Sequence, residues 1–262
     1  MTVFPVVILN LPRCWRCLLL LFVLQPAGGF AGEATVAVAA NFLPVLRSLA
    51  RDFRQTSGHR LRISAGSTGK LYAQIRHGAP FDVFLAADAA RPERLEREGH
   101  GVPGSRFTYA IGRLVLWSPR PGLFDDGLSW LQQGRFGRLA LANPKTAPYG
   151  LAARQFLQRR GLWTGLQGRL IRGESVAQAF QFVMTGNADA GFVALAQVRA
   201  GANAGGSLWP VPETDHEPLE QQAILLKRGE AKPAARAFHA WLRSEPARER
   251  IHAAGYALPE PE

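Results

Sequence analysis

The chain has 262 residues, 47% of them hydrophobic, with a formal charge of +11. That length and apolar content suit one large domain or two modest lobes and exclude a disordered composition. The basic residues are scattered (Arg47, Arg51, Arg54, Arg60, Arg135, Arg138, Arg159, Arg160, Arg236, Arg248). They form no basic stripe interleaved with aromatics, so they read as solvated helix faces and no nucleic-acid partner is expected.

Residues 1–31 read as a secretory signal peptide. Arg13 and Arg16 precede an apolar run from Leu18 to Leu24, which Gln25 and Pro26 close and small residues follow. The run is well short of the roughly 20 residues a membrane span requires. Both cysteines, Cys14 and Cys17, lie in this leader. A mature chain without them must be stable through its core alone. Removing the two leader arginines from +11 leaves +9.

Beyond the leader, strand and helix patterns alternate, which predicts an α/β architecture. A strand is expected at 35–39, followed by Asn41 as a helix cap and a helical face at Phe42, Leu46, Leu49 and Phe53, which Gly58 ends. A second strand falls at 60–64, a tight turn at 66–69 and a further helix from Leu71. Residues 81–86 form a third strand, with Asp88 at its carboxyl end. Residues 107–117 are too long for one ordinary strand and suit a passage between lobes. Further strands are expected at 139–142, 190–194 and 221–226, with helices from Leu151, over 176–184 and over 231–242, and a flexible loop at 201–206.

Four segments just after, or close to, strand carboxyl ends offer neutral donors near helix starts, where unsatisfied N–H groups suit an anion. They surround Ala40 and Asn41, Ser67 and Thr68, Tyr149, and Val176. Asn41 offers an amide and an N–H, Ser67 and Thr68 hydroxyls, Tyr149 either its phenol or its N–H, and Val176 its N–H alone. Taken singly, each is more often an ordinary cap or turn residue. The stretch Gly66 to Lys70 fails the nucleotide-loop spacing, because only two residues separate its first Gly from Gly-Lys. The six histidines form no paired metal-ligand pattern, and a lone Asp88 is more often structural than catalytic. Together these residues point to holding a small oxyanion without chemistry on it.

The chain resembles the periplasmic molybdate-binding proteins of ABC transporters from about Thr35 to Leu258. The resemblance rests on Ala39-Ala40-Asn41-Phe42, on residues 78–88, 104–112 and 143–150, and on Gly191 to Ala194. It implies a type II periplasmic-binding-protein fold, an α/β architecture with a mixed sheet in each of two lobes and a hinge between them. The implied boundaries are 32–108 with 222–262 for one lobe and 109–221 for the other, with crossings near 108–112 and 217–222. The oxyanion donors would match Ala40, Asn41, Thr68, Tyr149 and Val176, with Ser67 as a neighbour able to share the role. Ala40 replaces a hydroxyl residue of some relatives, leaving backbone donation there. Ala194 replaces a tyrosine donor of one branch, which the Asn41 form offsets.

The implied ligand is molybdate, with tungstate, and no cofactor, catalytic residue or direct metal side-chain ligand is expected. The partner would be an ABC permease in the inner membrane, the location the periplasm, and the state a monomer. A binding protein for sulfate or another tetrahedral oxyanion is the alternative. Glu174, close to Val176, is the one acceptor that could admit a protonated oxyanion.

Overall fold

The computed structural model describes residues 31–201 and 205–260. The leader, apart from Ala31, and the centre of the 201–206 loop lie outside the described residues.

The first half of the chain alternates strand and helix. β1 (Glu33–Ala39) leads to α1 (Leu43–Ser57), β2 (Arg60–Gly66), α2 (Thr68–Arg76), β3 (Val83–Leu85), α3 (Ala90–Arg97) and β4 (Phe107–Gly112). β5 (Leu114–Ser118) opens a second series: α4 (Gly127–Gln133), β6 (Leu139–Ala142), α5 (Pro148–Arg159), the short α6 (Trp163–Leu166), β7 (Leu170–Gly173), α7 (Val176–Met184), β8 (Ala190–Ala194), α8 (Leu195–Ala200) and β9 (Ser207–Pro210). β10 (Leu219–Leu225), α9 (Pro233–Trp241) and α10 (Glu245–Ala253) complete the described chain.

The strands form two five-stranded sheets, ordered β2-β1-β3-β10-β4 and β7-β6-β8-β5-β9. In the first, β1 runs parallel to β2 and β3, and β10 lies antiparallel between β3 and β4. In the second, β6 runs parallel to β7 and β8, and β5 lies antiparallel between β8 and β9. Each sheet is therefore mixed, as expected.

The long apolar run 107–117 is two strands of different sheets. β4 stays in the first sheet to Gly112, and β5 begins at Leu114 in the second. The chain thus passes between sheets at Arg113 and returns through 211–218. The two passages lie side by side: Leu219 pairs with Gly112, and the Val211 N–H donates to the Leu114 carbonyl at 3.0 Å.

Strands covered on both faces read as continuous apolar runs. In the first sheet Val36, Val38, Val83 and Leu85 face a core built from Leu46, Leu49 and Phe53 of α1 and Phe238 of α9. The alternate residues Ala37, Phe84, Ala86 and Ile224 pack on Leu71 and Ile75 of α2 and Leu95 of α3. The second sheet is covered in the same way, by Phe156 and Leu157 of α5 on one side and Ala179 and Val183 of α7 on the other. α1 follows the predicted face and ends at Gly58, whose φ of 73° is left-handed.

His239 of α9 is buried, with its ring edge-on to Phe107 at 5.1 Å. Burial, reinforced by the Arg243 cation, pushes its imidazole down from 6.5 to about 4. As pH falls through that window, the unfolded chain takes up a proton that the folded chain refuses, so stability falls; above it both states are neutral and the effect vanishes. The expected loss from pH 7 to pH 4 is about 3 kcal/mol from this group. Urea unfolding at the two pH values should show a correspondingly shallower fall for His239→Gln. Parallel pH profiles for the two proteins would rule the effect out.

Candidate functional site

Four segments meet at the carboxyl ends of β1, β2, β6 and β7, two from each sheet. They line a small cleft that is partly open to solvent. Ala40, Asn41, Ser67, Thr68, Tyr149 and Val176, all singled out from the sequence, line it. The other lining residues are Ala39, Gly66, Ala87, Ala147, Pro148 and Ser175, so no lining side chain carries a charge.

Three helices begin at this cleft. Ser67 precedes α2, Ala147 precedes α5 and Ser175 precedes α7. α5 starts at Pro148, earlier than the Leu151 expected, because proline suits the first helical position, where an N–H has no intrahelical acceptor. Tyr149 and Val176 therefore sit in first turns, where N–H groups have no intrahelical acceptor. The Ser175 hydroxyl caps α7, accepting from Gln178 N–H at 3.3 Å.

The hydroxyls differ in their commitments. Thr68 Oγ1 accepts the Ala87 N–H at 3.1 Å, which leaves its own hydrogen available. Ser67 Oγ is buried and has no hydrogen-bond partner among the described residues. A buried polar atom without a partner costs about 1–3 kcal/mol, so a hydroxyl held this way lacks an acceptor on its cleft side.

Two expected donors are already committed. The Ala40 N–H donates to the Gly66 carbonyl at 2.9 Å, because the parallel β1–β2 register runs one step past Ala39. Ala40 shapes the wall without offering that hydrogen. Asn41 does not cap α1; Phe42 holds that position, with no side-chain cap bond. Instead, Asn41 Nδ2 donates to Gln221 Oε1 at 2.8 Å and to Tyr256 Oη at 3.0 Å, so both amide hydrogens point into the protein. The main-chain N–H is the donor Asn41 retains, with no partner among the described residues.

The Tyr149 phenol is likewise turned inward, accepting from Gln221 Nε2 at 3.3 Å. Burial pushes the phenols of Tyr109, Tyr149 and Tyr256 above their ordinary value, so all three stay protonated at neutral pH. Of the two donors open to Tyr149 in the sequence, the N–H lies in the first turn of α5 without an intrahelical acceptor, whereas the phenol is buried against Gly112 and Gln221.

At the rim, the segments from the two sheets touch. Gly69 N–H donates to the Thr146 carbonyl at 2.8 Å, and a Cβ on Gly69 would stand 2.9 Å from that oxygen. Lys70 and Glu174 form an ion pair across the rim, and both side chains are exposed. Glu174 is thus occupied outside the cleft. Asp88 accepts the Arg91 N–H at 3.0 Å and pairs with its guanidinium, a structural role. Gly69 lay in the expected 66–69 turn, but the roles of Tyr109, Gln221 and Tyr256 at the site were not read from the sequence. The only available signal was Gln221-Gln222, a polar pair opening an otherwise apolar strand.

Two mixed sheets, joined by two adjacent passages and sharing an uncharged cleft at their strand ends, define a two-lobed solute-binding protein. The chain matches the bacterial extracellular solute-binding proteins over residues 34–257 and belongs to that family. It is 51% identical to a molybdate-binding protein of Azotobacter vinelandii over 87% of this chain and 91% of that one. It is 44% identical to a molybdate-binding protein of Rhodobacter capsulatus, over 86% of this chain and 88% of that one. The solved periplasmic molybdate-binding protein of Azotobacter vinelandii superposes with a TM-score of 0.83 at 46% identity, covering 87% of this chain and all of that one.

Proposed function

We propose that this protein captures molybdate, and tungstate with it, in the interlobe cleft and delivers it to an ABC permease in the inner membrane. The activity is binding and hand-over, without chemistry on the anion. The protein works in the periplasm as a monomer, and the names borne by its relatives at 51% and 44% identity support the choice of ligand.

The observation that carries this reading is the uncharged cleft at three helix starts, with the unpartnered Ser67 hydroxyl in its wall. The donors assigned to the anion are the N–H groups of Asn41, Tyr149 and Val176 and the hydroxyls of Ser67 and Thr68. Ala40 contributes shape. Each bond to a charged acceptor is worth about 1.5–3 kcal/mol net. A handful of them, less the cost of closure and immobilisation, reaches the roughly 8–12 kcal/mol of micromolar to nanomolar binding. The lobes divide where the sheets divide, with Arg113 and residues 211–218 as the hinge on which the cleft opens.

A cleft without a lining carboxylate favours fully deprotonated tetrahedral dianions. Molybdate and tungstate are nearly equal in size and should bind alike, whereas the smaller sulfate leaves slack bonds. A thermal-shift series with molybdate, tungstate, sulfate and phosphate tests this. Ligand at a hundredfold excess over its dissociation constant adds about 2.7 kcal/mol of stability. Shifts with molybdate and tungstate are expected; a shift with sulfate alone would change the ligand, and none with any of the four would overturn the reading.

A further inference from the structure

Behind the cleft lies a buried polar cluster that makes no use of charge. Gln221 is its centre, on β10 where the chain has just returned to the first sheet, and its side chain is completely buried. Its Oε1 accepts from Asn41 Nδ2 at 2.8 Å and from the Tyr109 hydroxyl at 3.2 Å. Its Nε2 donates to the Tyr149 hydroxyl at 3.3 Å. Asn41 precedes α1 on the first sheet, and Tyr149 stands on α5 of the second. One amide therefore joins a cleft segment of each lobe.

The surroundings are built for this bridge. Tyr256 grips Asn41 twice, accepting from its Nδ2 and donating to its main-chain carbonyl, each at 3.0 Å. Gly112, at the passage between sheets, has no Cβ; one placed there would lie 2.2 Å from the Tyr149 hydroxyl and 2.8 Å from Gln221 Nε2. Only a glycine leaves the phenol room to reach the amide. The β10–β4 register slips between Gln221 and Gln222, which sets Gln221 apart from the regular ladder.

We infer that Gln221 is a positioning residue for the oxyanion: it sets the separation of the two half-sites by pinning Asn41 to Tyr149, and through that separation it sets affinity and size selectivity without touching the ligand. This rests on the oxyanion-binding reading above. With the bridge intact, the N–H groups of Asn41 and Tyr149 are held at one spacing, suited to the larger anion. Without it, the halves can settle around a smaller one.

The test is calorimetric titration of the purified protein, Gln221→Met and Tyr149→Phe with molybdate and with sulfate. Methionine keeps length and bulk but removes the amide; phenylalanine removes only the hydroxyl that Gln221 holds and keeps the Tyr149 main-chain donor. Both variants should lose at least tenfold in molybdate affinity and lose less for sulfate, so the molybdate-to-sulfate ratio falls. The double variant should lose little more than either single one, since both break the same bridge. A general loss of structure would lower the folded fraction and leave the ratio unmoved. An unchanged ratio in Tyr149→Phe, which does not depend on Gln221→Met folding, would overturn the inference. Failure of the unmodified protein to bind molybdate would instead overturn the functional reading.

Discussion

Replacing Ser67 with alanine is expected to weaken molybdate binding by about ten- to a hundredfold, the equivalent of one lost bond to a charged acceptor at about 1.5–3 kcal/mol. The ligand-free protein should be no less stable than before. Ser67 Oγ is buried and unpartnered, so the folded protein already bears the desolvation of that hydroxyl with no bond in return. Few binding-site substitutions combine these two signs. Most remove a group that also packs or bonds in the empty protein, and so lower stability and affinity together. Titration calorimetry and urea unfolding without ligand would measure the two quantities separately. Retained affinity would remove Ser67 from the ligand shell, and a large loss of ligand-free stability would show that its hydroxyl has a protein partner in solution.

Replacing Asp82 with alanine is expected to cost about 3 kcal/mol of folding stability, at the lower end of the range for breaking a buried ion pair from one side. The Asp82 side chain is completely buried beside β3. It accepts the Thr35 N–H at 2.8 Å, lies 2.8 Å from Lys232 Nζ and 3.5 Å from Arg228 Nε. Its main chain adds bonds in both directions, from its N–H to the Thr35 carbonyl and from the Leu226 N–H to its own carbonyl. One residue thus ties β1 and the segment after β10 to the start of α9. Alanine would leave the part-buried Thr35 N–H without its acceptor and two cations without their counter-charge.

The lower end of the range applies because Lys232 and Arg228 are partly exposed and regain water when the carboxylate is gone. Asp82→Asn should lose less, since an amide oxygen still accepts from Thr35. Thr35 lies toward the amino end of β1, opposite the cleft, so the folded Asp82→Ala protein should bind molybdate as the unmodified protein does. Chemical unfolding with a parallel titration checks both. A loss below about 1 kcal/mol would place Asp82 among ordinary solvent-screened surface pairs.

Much of the fold was legible because its signals are local. The α1 face depends on the 3.6-residue spacing of Leu46, Leu49 and Phe53, and the buried strands on short apolar runs such as those of β1 and β8. The start of α7 was legible for the same reason, whereas α2 and α5 each begin three residues before the Leu71 and Leu151 expected. The passage of 107–117 from one sheet to the other was legible from its length, but its crossing point was expected near 108–112 and lies at Arg113, since an apolar run does not reveal where its two halves change partners. The weak strands β7 and β9 were missed because they are held by their neighbours in the sheet.

At the site, the four neutral segments singled out from the sequence all line the cleft, because residue type and proximity to a helix start are properties of the chain itself, whereas Ala87 was not anticipated there. Which hydrogens remain free for a ligand was decided only by tertiary structure. The Ala40 N–H is taken by a ladder with β2, and the Asn41 amide by Gln221 and Tyr256, residues 180 and 215 positions away. The Tyr149 phenol is drawn into the interior by an amide on a returning strand, whereas Ser67 Oγ has no partner among the described residues. A hydrogen bond belongs to two groups at once, and when the second group is distant in sequence, only the folded chain shows whether the first is available.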